Sequence, residues 1–257
     1  MLKIIAIGGG EIRRPKKEGG FYKNETLKID KEIVSFSGKK SPKLLFIPTA
    51  SSDAEGYFEV IKKHFTKLSC RVDALYLIKD NLSEAEIKNK ILNSDIIYVG
   101  GGNTLKMMNI WRKNNLDKIL KLAVKRGIVL SGISAGSICW FKSGLSDSRK
   151  FTGKNDKFDF IKVSGLDFVD ALHCPHYDAE PERRVALKKI MKKTSGVAIA
   201  IDNGCALQIL DDKYRLIKSK KTARAFRVFW FKGRFICETI NLEKNFKLLK
   251  NLVTKFS

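Results

Sequence analysis

Short apolar runs alternate with amphipathic stretches of helical length through the first half of the chain. The strand-like runs occupy residues 3–7, 43–48, 71–77, 95–99 and 128–130. Between them, residues 26–37, 54–68, 83–92 and 116–126 carry apolar positions at helical spacing. Ser83-Glu84-Ala85-Glu86 has the form of a capping box, in which the serine side chain and the glutamate three residues on satisfy each other's backbone donors, and it marks the start of the third helix. Strands that alternate with helices in this way form a parallel sheet covered on both faces. The fold class expected is therefore α/β, with a mainly parallel, doubly wound sheet.

The pattern changes after residue 141. A loop-rich stretch is expected over 142–166, then a short strand ending at Cys174 and a charged helix over 181–193. Shorter strands follow at 197–201, 206–210, 214–217, 225–231 and 234–239, and a helix closes the chain. These C-terminal strands read as an antiparallel extension of the same sheet. A chain of 257 residues with 44% apolar content buries a full core in one domain, so residues 1–257 are taken as a single unit.

Composition narrows the setting. The five cysteines are odd in number and widely spaced, which indicates neither a disulfide framework nor a CxxC metal site and fits reduced thiols in a cytoplasm. The apolar residues 1–7 run into a glycine turn and a charged segment, so neither a signal peptide nor a membrane span is expected. A net charge of +23 raises nucleic acid or an anionic surface as a partner. The lysines are spread along the polar faces of the helices, however, and a solvated surface is the preferred reading, with nucleic acid disfavoured.

Candidate chemistry lies at two glycine-rich junctions. Gly132-Ile133-Ser134-Ala135-Gly136 follows the strand at 128–130 and leads into Ser137-Ile138-Cys139-Trp140-Phe141, which can continue as an apolar helix. Gly-x-Ser-x-Gly between a strand and a helix is the nucleophile elbow, where small neighbours let a strained serine stand at the sheet's carboxyl edge. A purely structural tight turn is the alternative. Gly100-Gly101-Gly102-Asn103-Thr104 follows the strand at 95–99, and in a doubly wound sheet it would lie beside Ser134, its backbone N–H groups free to approach a substrate oxygen. It lacks the lysine of a phosphate-binding P-loop and the full dinucleotide fingerprint. Gly8-Gly9-Gly10 is a weaker version of the same signal.

A serine nucleophile needs a base, and the chain has three histidines. His64 is read as a surface residue of an amphipathic helix. His173 and His176 flank Cys174-Pro175 at a strand end, where both can face the crevice. The same pair, with Asp178 or Cys174, also admits a metal reading, which the serine elbow makes unnecessary. No metal and no cofactor is expected.

Taken together, Ile96-Ile97-Tyr98-Val99-Gly100-Gly101-Gly102-Asn103-Thr104, the serine elbow and Pro175-His176-Tyr177 resemble the peptidase E family of serine peptidases, which is related to the cyanophycinases. The match runs over roughly residues 1–240 in order and spacing and includes Pro48-Thr49-Ala50-Ser51. The resemblance implies a fold similar to class I glutamine amidotransferases and hydrolysis of small peptides, best known as cleavage of dipeptides that begin with aspartate. Carried across, Ser134 is the nucleophile, His176 the general base, and the N–H groups of Gly101 and Ala135 the oxyanion hole. Gly102, Asn103, His173, Arg183 and Arg184 are candidate substrate contacts.

Two departures matter. Family members commonly place a glutamate before Gly-x-Ala-Leu as the third triad member. Here Asn203 precedes Gly204-Cys205-Ala206-Leu207 and Asp202 stands one residue earlier. Asp202 and Asn203 rank ahead of Asp147, which matches another acidic position of the family. The asparagine and the charge of +23 also motivate a degenerate member that binds a small ligand or polyanion without turnover. The arginine that pairs with an N-terminal aspartate in the family's aspartyl dipeptidases is replaced here by Pro181, so strict aspartate specificity is not expected. A small peptide is the expected partner, and a homodimer is left open.

Overall fold

The computed structural model describes residues 1–16, 18–152, 159–243 and 245–255. Five parallel strands build its centre: β1 (Lys3–Ile7), β2 (Lys43–Ile47), β3 (Arg71–Ala74), β4 (Ile96–Val99) and β5 (Val129–Ile133). Successive side chains point to opposite faces, and here both faces are covered. On one side Ile5, Ile7, Phe46 and Tyr98 pack against Ile29 and Ile33 of α1 (Leu27–Phe36) and Ile61 and Phe65 of α2 (Glu55–Thr66). On the other, Ile4, Ala6, Leu45 and Val99 meet α3 (Glu84–Leu92), α4 (Thr104–Lys113) and α5 (Leu116–Lys125) through Ile91, Trp111 and Leu120. Each such large side chain contributes about 1.5–3 kcal/mol when fully buried. The capping box at α3 is formed, with Ser83 N–H donating to Glu86 Oε2 at 2.8 Å and Glu86 N–H to Ser83 Oγ at 3.3 Å.

The second half departs from the expectation of one extended sheet. After α6 (Ala135–Ile138) come β6 (Phe141–Ser146), β7 (Ile161–Ser164), β8 (Val169–Cys174), α7 (Pro181–Met191) and β9 (Ala198–Ile201). These are followed by β10 (Cys205–Leu210), β11 (Lys213–Lys218), β12 (Ala225–Phe231), β13 (Arg234–Thr239), β14 (Lys247–Leu248) and α8 (Lys250–Val253). Only β10, β11 and β14 extend the first sheet, whose order is β14-β11-β10-β1-β5-β4-β2-β3, and they do so antiparallel. The other C-terminal strands form a separate sheet, β13-β12-β9-β8-β6-β7, in which β6, β8 and β9 are parallel.

The stretch expected to be loop-rich thus contains β6 and β7, paired antiparallel from Ser143 opposite Ser164 to Ser146 opposite Ile161. Small polar residues hid β6. Gly144 is needed there because a β-carbon would press on Ile138 Cγ2 at 2.5 Å. The apolar run after Ser134 is likewise not one helix: α6 stops at Ile138 and Phe141 already opens β6.

The chain therefore crosses between the sheets at four places: through α6, through the Asp202-Asn203-Gly204 turn between β9 and β10, between β11 and β12, and between β13 and β14. The first crossing is tight. A β-carbon on Gly132 would strike the Gly136 carbonyl, and one on Gly136 would strike the Val99 carbonyl. Gly136→Ala forces backbone against backbone, which we expect to lower stability by about 2–3 kcal/mol and Tm by roughly 5–10 °C. Gly56→Ala, where a β-carbon meets nothing within 4 Å, is the control and should leave Tm unchanged or raised in a thermal melt.

Candidate active site

At the carboxyl ends of β1, β4 and β5, Ser134 occupies a conformation that L-residues avoid, with φ 58° and ψ −116°. Strain of this kind is of order 1–3 kcal/mol and persists only where neighbours enforce it. Here the Ser134 N–H donates to Ile7 O at 3.2 Å, while Ser134 O accepts from Ser137 N at 2.9 Å and Ile138 N at 3.1 Å. His176 also has positive φ, 54°, and its N–H donates to Gly8 O at 2.9 Å. The two side chains are thereby turned toward each other from different sheets.

Ser134 Oγ lies 2.8 Å from His176 Nε2, and His176 Nδ1 lies 2.7 Å from Asn203 Oδ1. A carbonyl-type oxygen can only accept, so Asn203 places the proton on Nδ1 and leaves Nε2 with a lone pair facing the serine hydroxyl. Asn203 is held in turn by its own N–H, which donates to Asp178 Oδ1 at 2.8 Å. Gly9 is the wall behind this pair: a β-carbon there would overlap both Asn203 Oδ1 and His176 Nδ1. The weak signal at Gly8-Gly9-Gly10 marks a required close approach, which no short motif encodes.

Burial is the main cause that pushes the His176 pKa below its ordinary 6.5, and the nearby Arg183 charge acts in the same sense. The Asn203 hydrogen bond, Glu180 and Asp147 oppose it. The imidazole is therefore neutral at neutral pH.

The remaining sequence candidates fall in different places. Asp202 is buried but turned away, with Oδ2 accepting from Arg224 N at 2.9 Å; neighbours in an extended turn point to opposite sides, and only Asn203 reaches His176. Asp147 makes no hydrogen bond to His176 among the described residues, and only its charge acts there. His173 does not face the crevice. It is fully buried, stacked on Phe141 at 4.5 Å, with Nδ1 donating to Ile199 O at 3.0 Å and Nε2 lying 2.9 Å from Ser137 Oγ. Burial drives its pKa down to about 3.

Asn103 caps α4 by accepting from Lys106 N at 2.9 Å, and Gly102 packs on the Ala50 carbonyl, so neither lines the cavity beside Ser134. Arg183 is buried against Glu180, Nε to Oε2 2.9 Å, and Arg184 donates to Tyr177 O at 3.1 Å; both face away from that cavity. His64 is not a free surface residue either: its Nε2 sits 2.8 Å from buried Asp30 Oδ2, across α1 and α2. Among the described residues no group of three or more His, Cys, Asp or Glu side chains is placed to hold a metal ion. No helix among them is long and apolar enough to cross a membrane.

The cavity in front of Ser134 and His176 has a volume of about 600 Å³. Gly101 lines it, with its N–H directed at Tyr57 Oη, 3.4 Å away. Ala135, buried next to Ser134, carries its N–H at the first position of α6, where no intrahelical acceptor exists. Tyr57, Glu11, Ile12, Arg14 and Pro15 complete much of the wall. The sequence offers no signal for these, because a hairpin closed by the Pro15 and Phe21 bridge brings residues 11–15 over the site.

A mainly parallel α/β frame carrying a serine elbow with an imidazole on its hydroxyl is the architecture of hydrolases that attack acyl carbons. The comparisons narrow that class. The model of Peptidase family S51 matches residues 17–217. An uncharacterized peptidase, YgaJ, of Bacillus subtilis strain 168 is 35% identical over 89% of this chain and 92% of its own length. Peptidase E of Nostoc sp. strain PCC 7120 is 26% identical over 74% of this chain and 78% of its own. Among solved structures, a peptidase from an acI-B1 Actinobacterium superposes with a TM-score of 0.69 at 17% identity, covering 96% of this chain and 97% of that one. A putative peptidase E protein from Listeria monocytogenes EGD-e gives 0.62 at 20% identity, covering 85% and 98%. The chain belongs to peptidase family S51 and is a peptidase.

The depressed pKa of His176 has a direct readout. Its neutral form is favoured, so protonation requires acidification below 6.5, and any stability that depends on the neutral ring is lost on that side. An NMR titration of the imidazole should place the midpoint below 6.5, and Asn203→Asp, which sets a carboxylate beside the ring, should raise it by about one to three units.

Proposed function

We propose that the protein is a serine peptidase of small peptides, with Ser134 as nucleophile and His176 as general base. The observation that carries this reading is the continuous chain Ser134 Oγ, His176 Nε2, His176 Nδ1, Asn203 Oδ1, with separations of 2.8 and 2.7 Å at its two hydrogen bonds. As Ser134 Oγ bonds to the scissile carbonyl carbon, its proton passes to Nε2. The imidazolium then delivers that proton to the departing amine, and water releases the acyl group through the same base. The N–H groups of Gly101 and Ala135 receive the oxyanion. The Gly101 N–H, which donates to Tyr57 Oη over a long 3.4 Å, is the donor that turns to the oxyanion, and burial holds the Tyr57 hydroxyl protonated, its pKa pushed up to about 12.

Asn203 orients the ring without stabilising the imidazolium by charge, as the amide does in Cys-His-Asn sites. That role supports turnover without a carboxylate at position 203. Loss of strict aspartate specificity is supported by Pro181 at the start of α7.

Ser134→Ala should keep its Tm and lose hydrolysis by at least about a thousandfold, whereas wild type should be unaffected by EDTA. Near-normal turnover in the variant, or inactivation by chelator, overturns the serine mechanism. For the orienting residue, Asn203→Ala should lower kcat while Asp147→Ala stays close to wild type, and the reverse order would transfer that role to Asp147. In kcat/KM, Asp-Leu should exceed Ala-Leu and Lys-Leu by less than about a hundredfold, a larger preference indicating an unpaired cation in the site.

A further inference from the structure

The cavity wall around Ser134 and His176 is made of glycines, Ile12, Pro15, Val60, Ile133 and Tyr57, apart from two ionised side chains of opposite sign, Glu11 and Arg14. They bind each other in a fork, Arg14 Nε donating to Glu11 Oε2 at 2.7 Å and Nη2 to Oε1 at 2.8 Å. Arg14 also lies over the Tyr22 ring, 4.3 Å from its centroid. Glu11 is fixed through its main chain: Glu25 N–H donates to Glu11 O at 2.8 Å, and Glu11 N–H to Glu25 Oε2 at 3.2 Å. It stands two residues from Gly9, whose α-carbon packs against the His176 and Asn203 pair.

We propose that Glu11 and Arg14 are a charge clamp for the free termini of a short peptide, Glu11 taking the α-ammonium and Arg14 the α-carboxylate. This rests on the peptidase reading above. A zwitterion carries the same two charges as the clamp and no net charge, so it can replace one ion pair by two without leaving an unbalanced ion in an otherwise apolar cavity. The pair is open enough to be exchanged, its side chains being 33% and 52% exposed, so that solvent and an incoming ion can compete for both charges. A blocked terminus leaves one clamp residue facing an amide, which forfeits a charge-assisted hydrogen bond. The clamp therefore selects for peptides with both ends free.

The test compares Ala-Leu, N-acetyl-Ala-Leu and Ala-Leu-amide on wild type, Glu11→Gln and Arg14→Gln. Wild type should favour Ala-Leu over either blocked form by about ten- to a hundredfold in kcat/KM. Glu11→Gln should collapse the preference against the acetylated peptide, and Arg14→Gln the preference against the amide. Equal use of free and blocked peptides by wild type, or a uniform fall for all three peptides in either variant, overturns the clamp. The same ratios are measured as Kd by calorimetry on Ser134→Ala. Absent hydrolysis by wild type with the binding ratios intact would sink the serine mechanism and leave the clamp standing, while hydrolysis by wild type without the ratios would do the opposite.

Discussion

Ser134 is held at φ 58° and ψ −116°, and the arrangement around it follows from the need to keep a β-carbon in that conformation. The chain must turn sharply between β5 and α6, so Gly132 and Gly136 approach each other and Val99 more closely than any side chain would allow. Because α6 ends at Ile138, the next strand leaves for the second sheet rather than continuing on the first. The strained serine thus stands at one of the places where the chain passes between the two sheets. The histidine turn, tied to Gly8 O by the His176 N–H at 2.9 Å, closes the same joint from the other side. Serine and imidazole meet because both lie at this seam, and their separation is set by strands rather than by loop flexibility.

The seam also decides the electrostatics. Burying His176 favours its neutral form, the form that can accept a proton at physiological pH. A carboxylate at position 203 would oppose that preference by stabilising the imidazolium. Asn203 instead fixes ring orientation and tautomer while leaving the basicity low. Glu180 and Asp147 supply negative charge at a remove. In the mechanism proposed, such a site trades stabilisation of the charged intermediate for a base that stays available in acid.

Much of the frame was legible in the order of the residues. The apolar runs at 3–7, 43–48 and 95–99 located β1, β2 and β4 to within a residue, because strands buried on both faces are almost uniformly apolar. The elbow, Pro175-His176-Tyr177 and Asn203 were visible as motifs, and the structure brings their side chains into one hydrogen-bonded chain. What was not legible depends on contacts between distant segments. Nothing local tells which C-terminal strands belong to which sheet, since β9 and β10 are separated by only the Asp202-Asn203-Gly204 turn yet lie in different ones. Position along the chain alone lets both His173 and His176 face the crevice, but strand alternation and the turn after Cys174 send His173 into the core and His176 to the cavity. Arg183 was equally misleading, a cation whose partner, Glu180, sits one helical turn away.

Charge acts on two scales in this molecule. The chain carries +23, yet the wall beside Ser134 has one negative and one positive side chain bound to each other. Surface charge of one sign raises the encounter rate of anions and is screened within about 8–10 Å at physiological salt, whereas a paired carboxylate and guanidinium in an apolar recess act at contact distance. The two need not favour the same molecule. A polyanion drawn to the lysine-rich surface would meet, at the cavity, a guanidinium already neutralised by Glu11 and a carboxylate that repels it. Selection at the site then depends on local charge balance, and the basic surface contributes to solubility and to the rate of approach without dictating what is cleaved.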